Sequence, residues 1–215
     1  YVEELDILPK LAVLSGPTFA REVALDLPSA AVIACEDDTT SSLLQMCFHS
    51  ERFRIYRSND LVGVQLGGAI KNVIAIATGI SDGMQLGLNA RAALICRGVA
   101  EMSRLGTAIG GSSETFMGMS GMGDLVLTAT SSLSRNHNLG RKLGQGFSLE
   151  ESLPSSGAVA EGVRNSVSIR ELAERHKIEM PICKAVFQVL FEGVSCAQGL
   201  QKLLERDCPD EEMHT

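Results

Sequence analysis

From Val62 to Ile80 the chain reads VGVQLGGAIKNVIAIATGI. This is far too long for one β-strand, and its apolar residues follow no alternation of period two. It is read as a helix, and helix-length apolar segments follow it to the end of the sequence. Upstream the pattern differs. Between Leu11 and Ser58 short apolar runs (LAVLSG, AAVIAC, FRIY) alternate with helical stretches such as TTSSLLQMCF, the pattern expected of the tail of an α/β sheet. The expected fold is therefore mainly α: residues 1–58 are the last β/α elements of a sheet domain, and residues 59–215 an all-helical domain.

Boundary residues support this division. Asn89 is a candidate cap for ARAALICRGVAEMSRL, with Gly106 as its end. Ser148 with Glu151, and Ser195 with Gln198, have capping-box spacing, and Pro181 stands where a first helical turn tolerates proline. Glycine is abundant, 21 of 215 residues, and many glycines lie inside expected helices, as at Gly67 and Gly68. There, close helix–helix approach could offset their poor helix propensity.

The net charge of −7 excludes broad binding to nucleic acid or to an anionic membrane, so an anionic ligand must meet a local basic site. The six cysteines lack metal-ligand spacing and are read as reduced thiols, mostly core filler. The four histidines stand apart and are read as surface residues. Lys71, Arg91 or glycines interrupt the apolar stretches, which are read as too short for membrane insertion. The opening YVEELDILPK has no signal-peptide character, so the chain is expected to start by processing or partway through a longer polypeptide.

Four places could carry chemistry. Lys71 lies mid-helix among apolar residues. It is either a general acid/base lysine, desolvation disfavouring its charged form, or a lysine whose amine reaches water over an apolar stem. GMSGMGDLVLT sets Asp124 at a helix start with Thr128 one turn on, a pair that either converges on a ligand or serves only the helix dipole. Ser134, Arg135 and Asn136 stand where a helix could begin, either a phosphate cradle or a solvated helix start. Gly16 and Pro17 in LSGPTFARE end a strand and open a helix, where α/β sheets present ligands. No Gly-x-Gly-x-x-Gly or Gly-x-x-x-x-Gly-Lys-Ser/Thr loop is present.

Taken in order, LSGPTFAREVA, NDLVGVQLGGAIKNVIAIATGI, GLNARAALICRGVAEM, TFMGMSGMGDLVLTATSSLSRN and AVAEGV resemble the bacterial NAD(P)-dependent glycerol-3-phosphate dehydrogenases. The resemblance runs from about Leu11 to Phe191. It implies a Rossmann domain followed by a helical domain like the C-terminal domain of 6-phosphogluconate dehydrogenase. It also implies that the glycine fingerprint and a further substrate-contacting lysine lie before Tyr1. Lys71 then corresponds to the catalytic lysine. Gly16, Thr18, Asn72, Asp124, Thr128, Ser134, Arg135 and Asn136 correspond to substrate contacts, and Ala20, Arg135, Val159 and Glu161 to positions facing the cofactor.

The implied reaction is reduction of dihydroxyacetone phosphate to sn-glycerol 3-phosphate by NADH or NADPH, without a metal, in a cytoplasmic homodimer that supplies glycerophospholipid synthesis. A fragment of this length is expected to be inactive alone. Cys96 departs from the pattern, since relatives commonly carry threonine there. Two alternatives stand beside this reading: a non-catalytic helical interaction or dimerisation module, and a related two-domain hydroxyacid dehydrogenase.

Overall fold

The computed structural model describes residues 10–153 and 160–205. Three strands, β1 (Val13–Ser15), β2 (Ser29–Ala34) and β3 (Phe53–Ser58), form one sheet in that order. Helix α1 (Ala20–Ala24) lies between β1 and β2, which run antiparallel with Val13 opposite Ala34. β2 and β3 run parallel, Ser29 opposite Phe53, joined through α2 (Asp38–Phe48). A parallel pair requires such a crossover, because a tight turn cannot reverse the chain far enough. Asp37 caps α2 by accepting from the Thr40 amide at 2.8 Å. Ala31, Ile33 and Ile55 form a small core of their own beneath the sheet.

All other described elements are helical: α3 (Leu61–Gly83), α4 (Gly87–Ala108), α5 (Ser113–Met117), a π-helical turn (Met119–Gly123), α6 (Asp124–Thr130), α7 (Arg135–Gly144), α8 (Leu149–Ser152), α9 (Glu161–His176), α10 (Pro181–Phe191) and α11 (Cys196–Leu204). Helix α3 is the long apolar run, and α4, α6, α7, α9 and α10 pack around it. The capping boxes at Ser148 and Ser195 form, and Pro181 opens α10.

Three expectations are corrected. Asn89 does not cap α4. The chain turns through left-handed Gln85 and Gly87, so the helix begins at Gly87, three residues earlier than expected. Gly106 does not end it either: a Cβ there would lie 1.9 Å from the Phe116 ring, so this glycine makes room for packing, while left-handed Gly110 follows the helix end. Third, the 23 residues of α3 are long and apolar enough to cross a membrane, with a mean hydropathy of 1.5. One lysine and scattered glycines do not lower that value enough. What marks α3 as a core helix is that two thirds of this stretch is buried inside the fold.

The glycine excess finds its reason in the α3–α7 contact. A Cβ on Gly79 would stand 2.1 Å from the His137 carbonyl oxygen, and one on Gly83 2.2 Å from that of Arg141. In return, Cβ atoms on Gly140 and Gly144 would stand 2.1 Å and 2.3 Å from the carbonyl oxygens of Ile76 and Ile80. Each helix thus places two glycines, one turn apart, against the other's backbone.

Two buried polar clusters join the helices. Glu101 of α4 is 1% exposed, and its carboxylate accepts the Ile182 and Cys183 amides at 2.6 and 3.1 Å, closing the N-terminus of α10. Burial pushes its carboxyl up to about 7 despite those donors. At the far end of α3, Asp82 accepts from Arg91 of α4 at 3.0 Å and meets His137 Nε2 of α7 at 2.8 Å. His137 is therefore buried rather than a surface residue, while His49 and His176 are exposed and His214 lies outside the described residues. The described cysteines divide: Cys35 and Cys183 are buried and Cys196 is half-buried against the core, whereas Cys47 and Cys96 are exposed, and Cys208 lies outside the described residues.

Candidate active site

Adjacent residues on a helix point about 100° apart. Lys71 and Asn72 therefore face different neighbours, and the site is built on that divergence. Lys71 reaches α6, where its ammonium pairs with Asp124. The lysine side chain retains 20% exposure and the aspartate 4%. Asp124 is aimed by the preceding π-helical turn, an irregularity that recurs at functional positions. The Thr128 hydroxyl donates to the Asp124 carbonyl at 2.6 Å and approaches its carboxylate at 3.3 Å. The Gly16 amide, at the end of β1, faces the same carboxylate. Burial pushes the Asp124 carboxyl above its ordinary value, and Lys71, Thr128 and Gly16 pull against that rise.

Asn72 points instead toward α7 and α9. Its Oδ1 accepts from Asn136 Nδ2 at 2.9 Å, while its own Nδ2 donates to the Gly68 carbonyl at 3.1 Å and toward Glu161 Oε2 at 3.5 Å. Asn136 Oδ1 in turn accepts the Gly162 amide at 2.9 Å. One carboxamide relay therefore ties the lysine helix to the starts of α7 and α9. Ser134 caps α7 by accepting the His137 amide at 3.2 Å. Arg135 projects from the first turn of α7 with its side chain 58% exposed, 3.9 Å from Glu161.

The fold thus forms two adjoining clusters, Lys71, Asp124 and Thr128 with Gly16 entering from the sheet, and Asn72, Asn136, Glu161 and Arg135, joined where Lys71 and Asn72 follow one another on α3. Thr18 lies beside Gly16, but its hydroxyl donates to the Gly16 carbonyl at 3.2 Å. Ala20 is exposed at the start of α1, and Val159 lies outside the described residues.

Sequence reasoning missed two members of the surroundings. Asn165 donates to the Ala69 carbonyl at 3.0 Å, locking α9 onto α3, and no letter pattern announces it. His137 precedes Gly140 and Gly144 by three and seven residues, which puts it on the seam face of α7, a signal that spacing could have supplied. A cavity of about 370 Å³ lies between α9 and α10, lined by Ile169, Ala173, Met180 and Phe187 among others. It shares no residue with the Lys71 network, and the convergence of polar groups, not volume, marks the site. Among the described residues no group of three or more His, Cys, Asp or Glu side chains could hold a metal ion.

The sequence matches the family model described as the NAD-dependent glycerol-3-phosphate dehydrogenase C-terminus over residues 60–201, and that of the N-terminus over residues 2–41. A glycerol-3-phosphate dehydrogenase [NAD(P)+] of Cupriavidus pinatubonensis is 56% identical over 214 residues, covering 97% of this chain and 62% of the relative. The crystal structure of a glycerol-3-phosphate dehydrogenase from Coxiella burnetii is 46% identical, with a TM-score of 0.91, covering 95% of this chain and 63% of that one. A Saccharomyces cerevisiae glycerol-3-phosphate dehydrogenase structure is 26% identical with a TM-score of 0.83, covering 95% and 62%. The chain thus spans about three fifths of the length of these relatives.

Proposed function

This chain belongs to the NAD-dependent glycerol-3-phosphate dehydrogenase family, and from that premise we propose that it supplies the substrate-holding and proton-transferring part of an enzyme interconverting dihydroxyacetone phosphate and sn-glycerol 3-phosphate. The observation that carries the reading is the Lys71–Asp124 pair, a nearly buried carboxylate holding an ammonium that still touches solvent.

Reducing a ketone requires a proton on its oxygen as negative charge develops there. Lys71 Nζ gives that proton, and in the reverse direction takes it from the alcohol. Asp124 pairs with the ammonium and aims it, and Thr128 fixes the carboxylate. The solvent contact of Lys71 lets it recover its proton between turnovers. Arg135, at the first turn of α7, holds the substrate phosphate with the help of the helix N-terminus. Anchoring that end sets the carbonyl against Lys71, and such positioning supplies a large share of an enzyme's rate. The Asn72–Asn136 relay fixes the spacing between the two ends.

Ala20, Arg135 and Glu161, with Val159 two residues before Glu161 in sequence, would face an NAD or NADP molecule, whose chemistry when bound is delivery of a hydride to the carbonyl carbon. Exposed Ala20, Arg135 and Glu161 fit its reactive end, because the Gly16 amide, four residues before Ala20, faces Asp124, and Glu161 lies against both Arg135 and Asn72, the neighbour of Lys71. The sequence contains no glycine loop for a pyrophosphate. On this reading residues 1–58 close a dinucleotide-binding domain and residues 59–215 form the substrate domain. The whole polypeptide works in the cytoplasm as a homodimer, feeding glycerophospholipid synthesis.

The test is dihydroxyacetone-phosphate-dependent NAD(P)H oxidation by this chain, by the polypeptide extended upstream of Tyr1, and by the extended form carrying Lys71→Ala. Turnover by the extended form alone, lost with Lys71→Ala while the fold is retained, supports the proposal. A folded, extended protein inactive with both cofactors refutes it and favours a helical interaction module.

A further inference from the structure

Glu161 stands at the first position of α9 with its side chain 67% exposed. Its carboxylate is not free of its surroundings: Oε1 lies 3.9 Å from Arg135 Nη2, and Oε2 lies 3.5 Å from Asn72 Nδ2. A carboxylate thus bridges the exposed guanidinium and the carboxamide next to Lys71. A phosphate bound to Arg135 would offer oxygens to the same pair of donors. We infer that Glu161 is a built-in competitor for the Arg135 anion site: it holds the guanidinium while the site is empty and must swing away when a phosphate enters.

The inference rests on the reading of Arg135 as the phosphate ligand, and the energetics suit a competitor that can be displaced. Both side chains are more than half exposed, and exposed ion pairs are weak, so the contact restrains Arg135 without locking it. A phosphate dianion can accept two guanidinium hydrogens at once, as a carboxylate can, and carries twice the charge, which lets it displace Glu161.

Binding of inorganic phosphate to this chain, followed by 31P NMR titration at fixed ionic strength, isolates the effect from any role Glu161 has toward a dinucleotide. Glu161→Gln and Glu161→Ala should bind inorganic phosphate about 1.5- to fivefold more tightly than the wild type, the range set by the strength of exposed ion pairs. Arg135→Ala should weaken binding, and Glu161→Gln should add nothing in the Arg135→Ala background. Glu171→Gln, the same charge change about 15 Å along α9, should leave the affinity unchanged. Equal affinity in Glu161→Gln and wild type, with Arg135→Ala still weakened, overturns the competitor and leaves the phosphate assignment standing. An equal gain from Glu171→Gln also overturns it, since net charge alone would then explain the effect. Unchanged binding in Arg135→Ala overturns the phosphate assignment, and the competitor falls with it.

Discussion

Replacing Gly140 with alanine puts the α3–α7 seam to a quantitative test. The new Cβ would lie 2.1 Å from the Ile76 carbonyl oxygen and 2.9 Å from both the Ile76 carbonyl carbon and the Ile80 nitrogen. Restoring ordinary contact requires α7 to move off α3 by roughly 1 Å, and a gap of that size forfeits about a quarter to a half of each dispersion contact along the seam. Leu139 and Leu143, only 2% and 7% exposed, lose packing with it. Overfilling a packed core costs about 1–3 kcal/mol, and a collision with backbone belongs at the upper end because no side chain can rotate away.

Alanine recovers about 1 kcal/mol of helix propensity, leaving a net loss of about 2 kcal/mol. Gly199→Ala on α11 is the internal control. Its Cβ would meet Val189 at 3.6 Å, an ordinary contact, so only the propensity gain of about 0.5–1 kcal/mol applies. Thermal unfolding of the chain followed at 222 nm should therefore move in opposite directions: down by about 4–8 °C for Gly140→Ala and up by a few degrees for Gly199→Ala. A Gly140→Ala protein as stable as the wild type would refute the claim that backbone contact, rather than helix propensity, decides this position.

Lys71→Met in the extended polypeptide should lower kcat by about 10²–10⁴, the range for loss of a general acid, with the helical circular dichroism retained. The same change strands Asp124, a cost of about 3–5 kcal/mol when a buried pair is broken. Adding Asp124→Asn should recover most of that stability, as urea midpoints would reveal. The Glu101 carboxyl sits at about 7 in the folded chain, against an ordinary 4.5. The folded state thus binds more protons, so the contribution of Glu101 is fully present below 4.5 and is lost as pH rises through 7. That loss amounts to something on the order of 3 kcal/mol, and Glu101→Gln should flatten the stability–pH curve between those values. Asp60 caps α3 through the Gly63 amide at 2.7 Å and also accepts the Ser112 amide at 2.8 Å. Asp60→Ala should cost about 1–2 kcal/mol in denaturant titration.

Local structure was legible wherever the signal was local. AAVIAC and FRIY became β2 and β3, SLEE and SCAQ became capping boxes, and SRN became the start of α7, because each depends on residues within a turn or two. The site was legible in its members but not in its wiring. Lys71 and Asp124 are 53 positions apart, and nothing in either segment specifies that they meet. His137 was misread for the same reason, since its partner Asp82 is 55 positions away. Glu101 escaped notice because it binds backbone amides of α10, which any sequence provides. α4 started early because Gln85 adopts a left-handed conformation that its identity does not suggest.

The reciprocal glycines also bear on how such a chain can change over generations. When two side chains collide, a smaller residue on the opposite helix can relieve the collision, and the two positions can drift together. At the α3–α7 seam the atoms that a new side chain would strike at Gly79, Gly83, Gly140 and Gly144 include main-chain carbonyl oxygens, which no substitution can trim. No partner mutation can repair a change at any of the four. Each should resist replacement on its own, and a search for correlated substitutions would overlook this backbone-to-backbone seam.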